Sequence, residues 1–200
     1  GVSMDIVGSY VERNIKIIDL SADFRLKDIN IWEEWYGSKH REEELLSESV
    51  YGLTELNLNK IKSARLIAVP GCYPTSSLLG VLPILDSELE IESIIIDAKS
   101  GISGAGRKTV KYNLSKEIKD NFRAYGLEGH RHLPEIKENV EIVSGYPINL
   151  NFLPHLIPTL RGIYSTIYIQ IKELKALDIH DLYDSFYKDS PNVRIMGTGE

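Results

Sequence analysis

The sequence predicts an α/β fold with parallel strand pairing, joined to a sheet of antiparallel or mixed type. A short apolar strand at 66–69 is followed by the turn Pro70–Gly71, a helix over about 75–85 and a buried-type strand at 93–97. This order is typical of α/β domains, in which ligands bind at the carboxyl ends of strands. Residues 163–171 alternate with period two, which predicts a half-buried strand of an antiparallel or mixed sheet.

The remaining segments add elements to this outline. Residues 15–20 predict a strand and the polar residues 21–25 a loop. Trp32, Trp35 and Tyr36 lie three and four positions apart, which favours a helix with an aromatic packing face. Near the end, residues 178–188 predict an amphipathic helix, and residues 192–196 a last strand.

Composition excludes several classes of protein. With 200 residues, 42% apolar and 26% charged, the chain can bury a core, so a disordered protein is excluded. The net charge is −6, and no basic stripe is available to bind a nucleic acid. The uncharged stretch 66–85 is broken by prolines and Gly71, so no membrane segment is expected. A single cysteine and the lack of a signal pattern predict a reducing, cytoplasmic setting.

Cys72 is the first candidate for chemistry. It lies between a predicted strand end and a predicted helix start, where unpaired N–H groups and the helix dipole favour negative charge. Pro74 suits a first helical turn because proline has no N–H to lose. The alternative is that Cys72 is a small buried apolar residue. The turn makes the two interpretations about equal.

His130 and His132 form a second candidate site. Two His separated by one residue could bind a metal, but no further Cys or His lies nearby at a suitable spacing, so no metal site is predicted. Proton transfer to and from a cysteine fits better, since imidazole titrates near neutral pH. Glu135 could fix the tautomer of one ring. The alternative is that both histidines have only a structural role and hydrogen-bond to the backbone.

A glycine-rich loop over 100–106 follows the strand at 93–97. Its glycines allow close approach of a ligand, and its consecutive N–H groups could hold phosphate oxygens. Gly101 and Gly106 have P-loop spacing, but Arg107 stands where the lysine belongs and moves Lys108–Thr109 one place late. A nucleotide hydrolase or kinase therefore remains only an alternative, as does a plain surface turn.

Six segments together resemble the N-acetyl-γ-glutamyl-phosphate reductases, the arginine-biosynthetic relatives of aspartate-semialdehyde dehydrogenase. The similarity runs nearly the whole length, and the Gly-Cys-Tyr-Pro-Thr turn is its most specific part. The segments are 19–25, 51–53, 70–75, 100–107, 130–136 and 154–158.

This resemblance implies an NADPH-dependent reduction of an acyl phosphate to a semialdehyde, with Cys72 as nucleophile. His130 would be the acid/base, and His132 the reserve candidate. The other implied residues are Arg107 and Arg161 for substrate phosphate or carboxylate, and Ser100, Gly101, Ser103, Gly104 and Ala105 for the NADP(H) cofactor.

The resemblance also implies a domain division. Residues 1–71 would be the end of a Rossmann-type nucleotide-binding domain, and residues 72–200 most of an α+β catalytic and dimerisation domain with a mixed sheet. No dinucleotide-binding Gly-x-Gly-x-x-Gly turn occurs between residues 1 and 14, so we expect a central fragment. A homo-oligomer, either a dimer or a tetramer, is expected. The alternative is an inactive module that only dimerises.

Overall fold

A computed structural model describes residues 1–105, 121–173 and 177–197. Within these ranges the chain forms helices, strands and one short 3-10 helix, Ile102–Ala105. The strands are β1 (Ile17–Asp19), β2 (Val50–Tyr51), β3 (Leu66–Ala68), β4 (Ile91–Ser100), β5 (Arg123–Ala124), β6 (Asn149–Leu156) and β7 (Ile163–Ile171). The helices are α1 (Met4–Val11), α2 (Ile29–Tyr36), α3 (Glu43–Glu48), α4 (Thr54–Ser63), α5 (Cys72–Leu85), α6 (His132–Ser144) and α7 (Ile179–Tyr187).

The first sheet is parallel and has the strand order β1-β3-β2. Its core includes apolar residues of α1, the segment after β1, α2 and α3. Trp32 is buried at the centre, stacks on Tyr36, and donates its indole N–H to the carbonyl of Ala22 at 3.0 Å. The predicted aromatic packing face on this helix is therefore confirmed.

The second sheet is mixed, as the sequence predicts, with the order β5-β6-β4-β7. β4 runs parallel to β6 and antiparallel to β7. The side chains of Ile94, Ile96 and Ala98 on one face of β4 are completely buried. This face packs against α5, which also contacts α6 and β7, so the sheet supports the helix that begins at Cys72.

The opposite face of the second sheet carries exposed apolar and aromatic side chains. Ile95 on β4 is 45% exposed, and Tyr168, its partner on β7, is 60% exposed. Leu153 on β6 and Tyr164 on β7 are also exposed. The sheet therefore has one buried face and one aromatic face open to solvent in this chain.

Two elements differ from the sequence prediction. Helix α5 begins at Cys72 rather than near Thr75, because the N–H and hydroxyl of Thr75 both donate to the carbonyl of Gly71 at 2.9 Å. The predicted strand at 192–196 is wrong. That segment follows a turn in which the N–H of Val193 donates to the carbonyl of Ser190, and it pairs with no strand in the described part of the chain.

Replacing Ile96 by alanine tests which face of β4 is the core. We expect Ile96→Ala to lower the free energy of unfolding by about 2–5 kcal/mol, because it opens a cavity in a closely packed region. The matched variant Ile95→Ala, on the face that is exposed in the single chain, is expected to cost about 1 kcal/mol or less when both proteins are measured as monomers. Urea denaturation of both variants measures the difference. Equal losses would contradict the assigned faces.

Candidate active site

Cys72 is the first residue of α5, directly after the turn that follows β3. Gly71 is the N-cap and has extended backbone, and the Cys72 side chain is exposed. The sequence prediction of a cysteine between a strand end and a helix start is therefore confirmed. A buried, inert cysteine is excluded by its exposure. An exposed thiol at a helix N-terminus lies close to the backbone N–H groups of the first turn.

A cavity of about 270 Å³ opens beside Cys72. It brings together residues from segments up to 84 positions apart in sequence. Of the predicted site residues, Cys72, His130, His132, Ser100 and Gly104 line it. The complete lining among the described residues is Cys72, Tyr73, Ser100, Gly104, Arg123, Tyr125, His130, Arg131, His132 and Leu156.

The two histidines lie at the start of α6 with their ring centroids 4.9 Å apart. Nδ1 of His130 accepts the backbone N–H of His132 at 3.1 Å. The neutral ring of His130 therefore carries its proton on Nε2. Nδ1 of His132 is buried and has no hydrogen-bond partner among the described residues, so its hydrogen-bonding capacity is unused.

Burial holds both histidines in the neutral form. It lowers the pKa of His130 from 6.5 to about 4, and the neighbouring Arg131 contributes to this shift. Burial also lowers the pKa of His132 to about 3, with smaller contributions from His130, Arg25 and Arg131. Both rings are uncharged at neutral pH unless a negative charge enters the cavity.

The walls of the cavity are positively charged although the whole chain has a net charge of −6. Arg123 on β5 and Arg131 between the two histidines both line it. No carboxylate belongs to the lining in the described part of the chain. Since arginine binds phosphate and carboxylate through paired N–H groups, this cavity favours an anionic ligand.

Two tyrosine hydroxyls lie on the same wall. The hydroxyl of Tyr125 donates to that of Tyr73 at 2.9 Å, and Tyr73 donates to the carbonyl of His155 at 3.3 Å. Burial raises the pKa of both tyrosines, so they stay neutral. They offer the cavity polar groups without adding charge.

Glu135 lies away from the cavity lining and contacts neither histidine ring by a hydrogen bond in the described structure. It is 1% exposed, and its carboxylate accepts the N–H of Gly71 at 2.8 Å and the hydroxyl of Tyr51 at 2.9 Å. Arg25 lies 3.5 Å from its other oxygen. The prediction that Glu135 fixes a histidine tautomer is therefore wrong. Its carboxylate instead accepts the backbone N–H of the residue before Cys72.

The glycine-rich loop uses its N–H groups internally. Those of Gly101, Ile102 and Ser103 donate to carbonyls of the segment 159–162, and that of Gly104 donates to Gly101. The expectation that consecutive N–H groups there hold phosphate is wrong for these four positions, because other backbone groups already satisfy them. A P-loop interpretation loses the same support.

The other residues predicted for this region have different positions. The backbone of Arg161 packs against Gly101, where an added Cβ would lie 2.8 Å from its nitrogen, and Arg161 is not part of the cavity lining. Ser103 is exposed outside the cavity. Ala105 closes the 3-10 helix. Arg107, with Gly106, Lys108 and Thr109, lies outside the described residues.

Across the described ranges, His, Cys, Asp and Glu side chains form no cluster that could hold a metal ion. Nor does any helix within those ranges have the length and apolar character needed to cross a membrane.

Comparison with known proteins identifies the family. The model of the semialdehyde dehydrogenase dimerisation domain matches residues 72–200, and that of the semialdehyde dehydrogenase NAD binding domain matches residues 1–64. The chain belongs to the semialdehyde dehydrogenase family. Among its relatives are proteins named N-acetyl-gamma-glutamyl-phosphate reductase from Nitrosospira multiformis, 48% identical, and from Nitrosococcus oceani, 49% identical, each over all 200 residues.

Solved structures of the semialdehyde dehydrogenase family share the fold. Aspartate semialdehyde dehydrogenase II from Vibrio cholerae matches 94% of this chain and 57% of its own, with a TM-score of 0.65 and 16% identity. A probable aspartate-semialdehyde dehydrogenase from Pseudomonas aeruginosa matches 100% of this chain and 60% of its own, with a TM-score of 0.66 and 19% identity. The chain spans 58% of the length of the curated relatives it matches.

Sequence reasoning missed several residues in and around this cavity. The sequence does contain a signal for Tyr73 and Arg131, because Tyr73 is next to Cys72 and Arg131 lies between the two candidate histidines. Arg123 and Tyr125 have none, because only the pairing of β5 with β6 brings them to the cavity. Arg25 was part of a recognised motif but received no role.

The neutral histidines predict how stability depends on pH. As the pH falls from about 6.5 toward 4, histidines of the unfolded chain bind protons while the buried rings of His130 and His132 do not, so the free energy of unfolding decreases. Urea denaturation at pH 7, 6 and 5 measures this slope. His132→Gln should flatten it, whereas His180→Gln, at an exposed position, should change it less. Equal slopes in all three proteins would contradict the burial of His132 as the cause.

Proposed function

We propose that the protein to which this chain belongs reduces N-acetyl-glutamyl 5-phosphate to N-acetyl-glutamate 5-semialdehyde, with NADPH as reductant, in arginine biosynthesis. The observation that carries the proposal is the cavity in which an exposed cysteine meets two neutral histidines and two arginines. The names of relatives that share 45–49% of the sequence support the choice of substrate.

The charge of the cavity fits this substrate. An N-acetylated glutamyl phosphate carries a carboxylate and a phosphate, and Arg123 and Arg131 provide two cationic groups to receive them. Negative charge from the ligand would offset the positive field of Arg131, and so raise the pKa values of His130 and His132 toward neutrality. Binding of the substrate would thereby prepare the histidines for proton transfer.

Cys72 is the proposed nucleophile. Its sulfur forms a bond to the acyl carbon as the carbon–oxygen bond to phosphate breaks, which leaves a thioester on Cys72 and inorganic phosphate. The proton of the thiol ends on the departing phosphate. The positive cavity walls stabilise the negative charge that collects on the phosphate oxygens in this step.

The cofactor would contact the cavity through Ser100 and Gly104. Both residues line it, and among the described residues a Cβ added at Gly104 would meet only the hydroxyl of Ser100, at 3.0 Å, which leaves room for a ligand on that side. A bound nicotinamide supplies the hydride that reduces the thioester. Gly101, Ser103 and Ala105 would support this segment from outside the cavity.

His130 is the proposed acid/base, and His132 the reserve candidate. Because Nδ1 of His130 accepts a backbone N–H, its Nε2–H is the group that can donate to the oxygen that becomes negatively charged. His130 then takes the hydroxyl proton of the resulting thiohemiacetal back as the carbon–sulfur bond breaks, which releases the aldehyde and leaves the thiolate on Cys72. The Cys72 thiolate is then ready for another turn of the cycle, or is protonated again.

We also propose that the protein is a cytoplasmic homo-oligomer, joined through the open face of the second sheet. Ile95, Leu153, Tyr164 and Tyr168 give this face an apolar and aromatic surface. The family model that spans these residues describes a dimerisation domain, which supports a second copy as the partner.

Removal of the sulfur tests the covalent step. In a protein of the relatives' full length, Cys72→Ser is expected to lower kcat by about 10³-fold or more, because it removes the proposed nucleophile. Without NADPH, the wild-type protein mixed with the acyl phosphate should gain the mass of one acyl group, and the variant should gain none. Turnover by a folded Cys72→Ser protein would overturn the mechanism.

Substitution of the arginines tests the anionic substrate. Arg123→Gln and Arg131→Gln should each raise KM for the acyl phosphate by about tenfold or more, because a charge-assisted hydrogen bond is lost. Arg161→Gln is the control, since this exposed arginine does not line the cavity. Steady-state kinetics separate the effects. A rise in KM confined to Arg161→Gln would place the anion site elsewhere.

A further inference from the structure

Glu135 is a fully buried carboxylate on the first turn of α6, three residues after His132. Among the described residues, all groups that contact its oxygens are donors: the N–H of Gly71, the hydroxyl of Tyr51 and the guanidinium of Arg25. Burial raises the pKa of Glu135, and these three partners oppose that shift. An ionised carboxylate satisfies all of them, whereas a protonated one would turn its own O–H toward a donor. The hydrogen-bonding geometry around Glu135 therefore favours the charged form.

The partners of Glu135 lie at the carboxyl ends of the first sheet. Tyr51 ends β2. Arg25 donates to the carbonyls of Leu20, just after β1, and Val69, just after β3, at 3.0 and 2.8 Å. One carboxylate on α6 thus connects to the ends of β1, β2 and β3.

Gly71 joins this group to the cysteine and to His132. A Cβ added to Gly71 would lie 2.5 Å from Nε2 of His132 and 3.0 Å from Nη1 of Arg25, so only glycine allows this approach. Its N–H is one of the donors that the start of a helix leaves without a partner inside the helix, and Glu135 of α6 accepts it. The next residue is Cys72.

We infer that Glu135 is a positioning residue: its carboxylate holds the turn before Cys72 against His132 and ties both to the ends of the first sheet. The inference rests on the proposed function for the roles of Cys72 and His132. Glu135 touches neither substrate nor cofactor in this arrangement. Its effect passes through the backbone of Gly71 and through Arg25.

The chain offers a matched control on the same helix. Glu138, one turn further along α6, also accepts backbone N–H groups of the first 71 residues, those of Lys27 and Asp28, at 2.8 and 3.2 Å. It is not part of the cavity lining. A role limited to holding α6 against the N-terminal part would therefore affect Glu138→Gln and Glu135→Gln alike.

The test compares Glu135→Gln with Glu138→Gln in the full-length protein. In Glu135→Gln an amide N–H₂ replaces one carboxylate oxygen, so the donors must share the remaining oxygen or lose their acceptor. We therefore expect kcat to fall by about tenfold or more, while KM for the acyl phosphate changes by less than about threefold. The rate of Cys72 alkylation by iodoacetamide at a fixed pH should change by about threefold or more, because the turn that carries the thiol loses its hydrogen bond to α6. Glu138→Gln should match the wild type in both measurements.

A second variant keeps the inference testable if Glu135→Gln fails to fold. Tyr51→Phe removes one hydrogen bond and no charge, so kcat and the rate of Cys72 alkylation should change in the same direction as in Glu135→Gln, by a smaller factor. Wild-type kcat in Tyr51→Phe, or equal effects of Glu135→Gln and Glu138→Gln, would overturn the inference.

The alkylation measurement also separates this inference from the proposed function. It needs no turnover, and mass spectrometry of the peptide that contains Cys72, the only cysteine among these 200 residues, makes it specific to this thiol in the full-length protein. An active Cys72→Ser protein would refute the proposed function, and a changed alkylation rate in Glu135→Gln would still support the positioning role of Glu135. An unchanged alkylation rate beside an inactive Cys72→Ser protein would refute the positioning role alone.

Discussion

The site depends on one hydrogen bond between segments 64 positions apart, from the N–H of Gly71 to the carboxylate of Glu135. It fixes the start of α5 relative to α6, and with it the relation between Cys72 and the histidines. Removal of the Glu135 carboxylate would leave the buried N–H of Gly71 unpaired, which costs about 1–3 kcal/mol, and would also leave Arg25 without its counter-charge. This is a large part of the stability of an ordinary domain, so the junction is held firmly by the fold itself.

The second constraint is electrostatic. The two histidine rings are buried beside Arg131, and burial together with that positive charge keeps them neutral. In the proposed mechanism these rings exchange protons near neutral pH, for which a neutral buried imidazole is poorly suited. An anion in the cavity would offset the effect of Arg131 on the pKa of both rings and so favour protonation. Arg131 would therefore both bind the substrate and modulate the histidines.

The parts of this structure that the sequence predicts are those set by local patterns. The strand, turn and helix around Cys72 follow from an apolar run, Pro70–Gly71 and Pro74, all within about 20 residues. The strand at 163–171 follows from strict alternation. The grouping of Cys72 with His130 and His132 was expected from the chemistry that a thiolate needs, and from the resemblance, and the cavity brings the three together.

The sequence predictions that failed concern features that depend on residues distant in sequence. Three glycines at 101, 104 and 106 have the local pattern of a phosphate-binding loop, yet the segment 159–162 accepts the N–H groups of 101–103. Val193 and Ile195 alternate like a strand, but strand formation requires a free edge to pair with, and none is used there in the described chain. Glu135 is a further example, because its inferred role depends on contacts with Arg25 and Tyr51. Both residues are distant from Glu135 in sequence, so no local pattern indicates that the three meet. Function in this site therefore follows from contacts that a linear pattern does not contain.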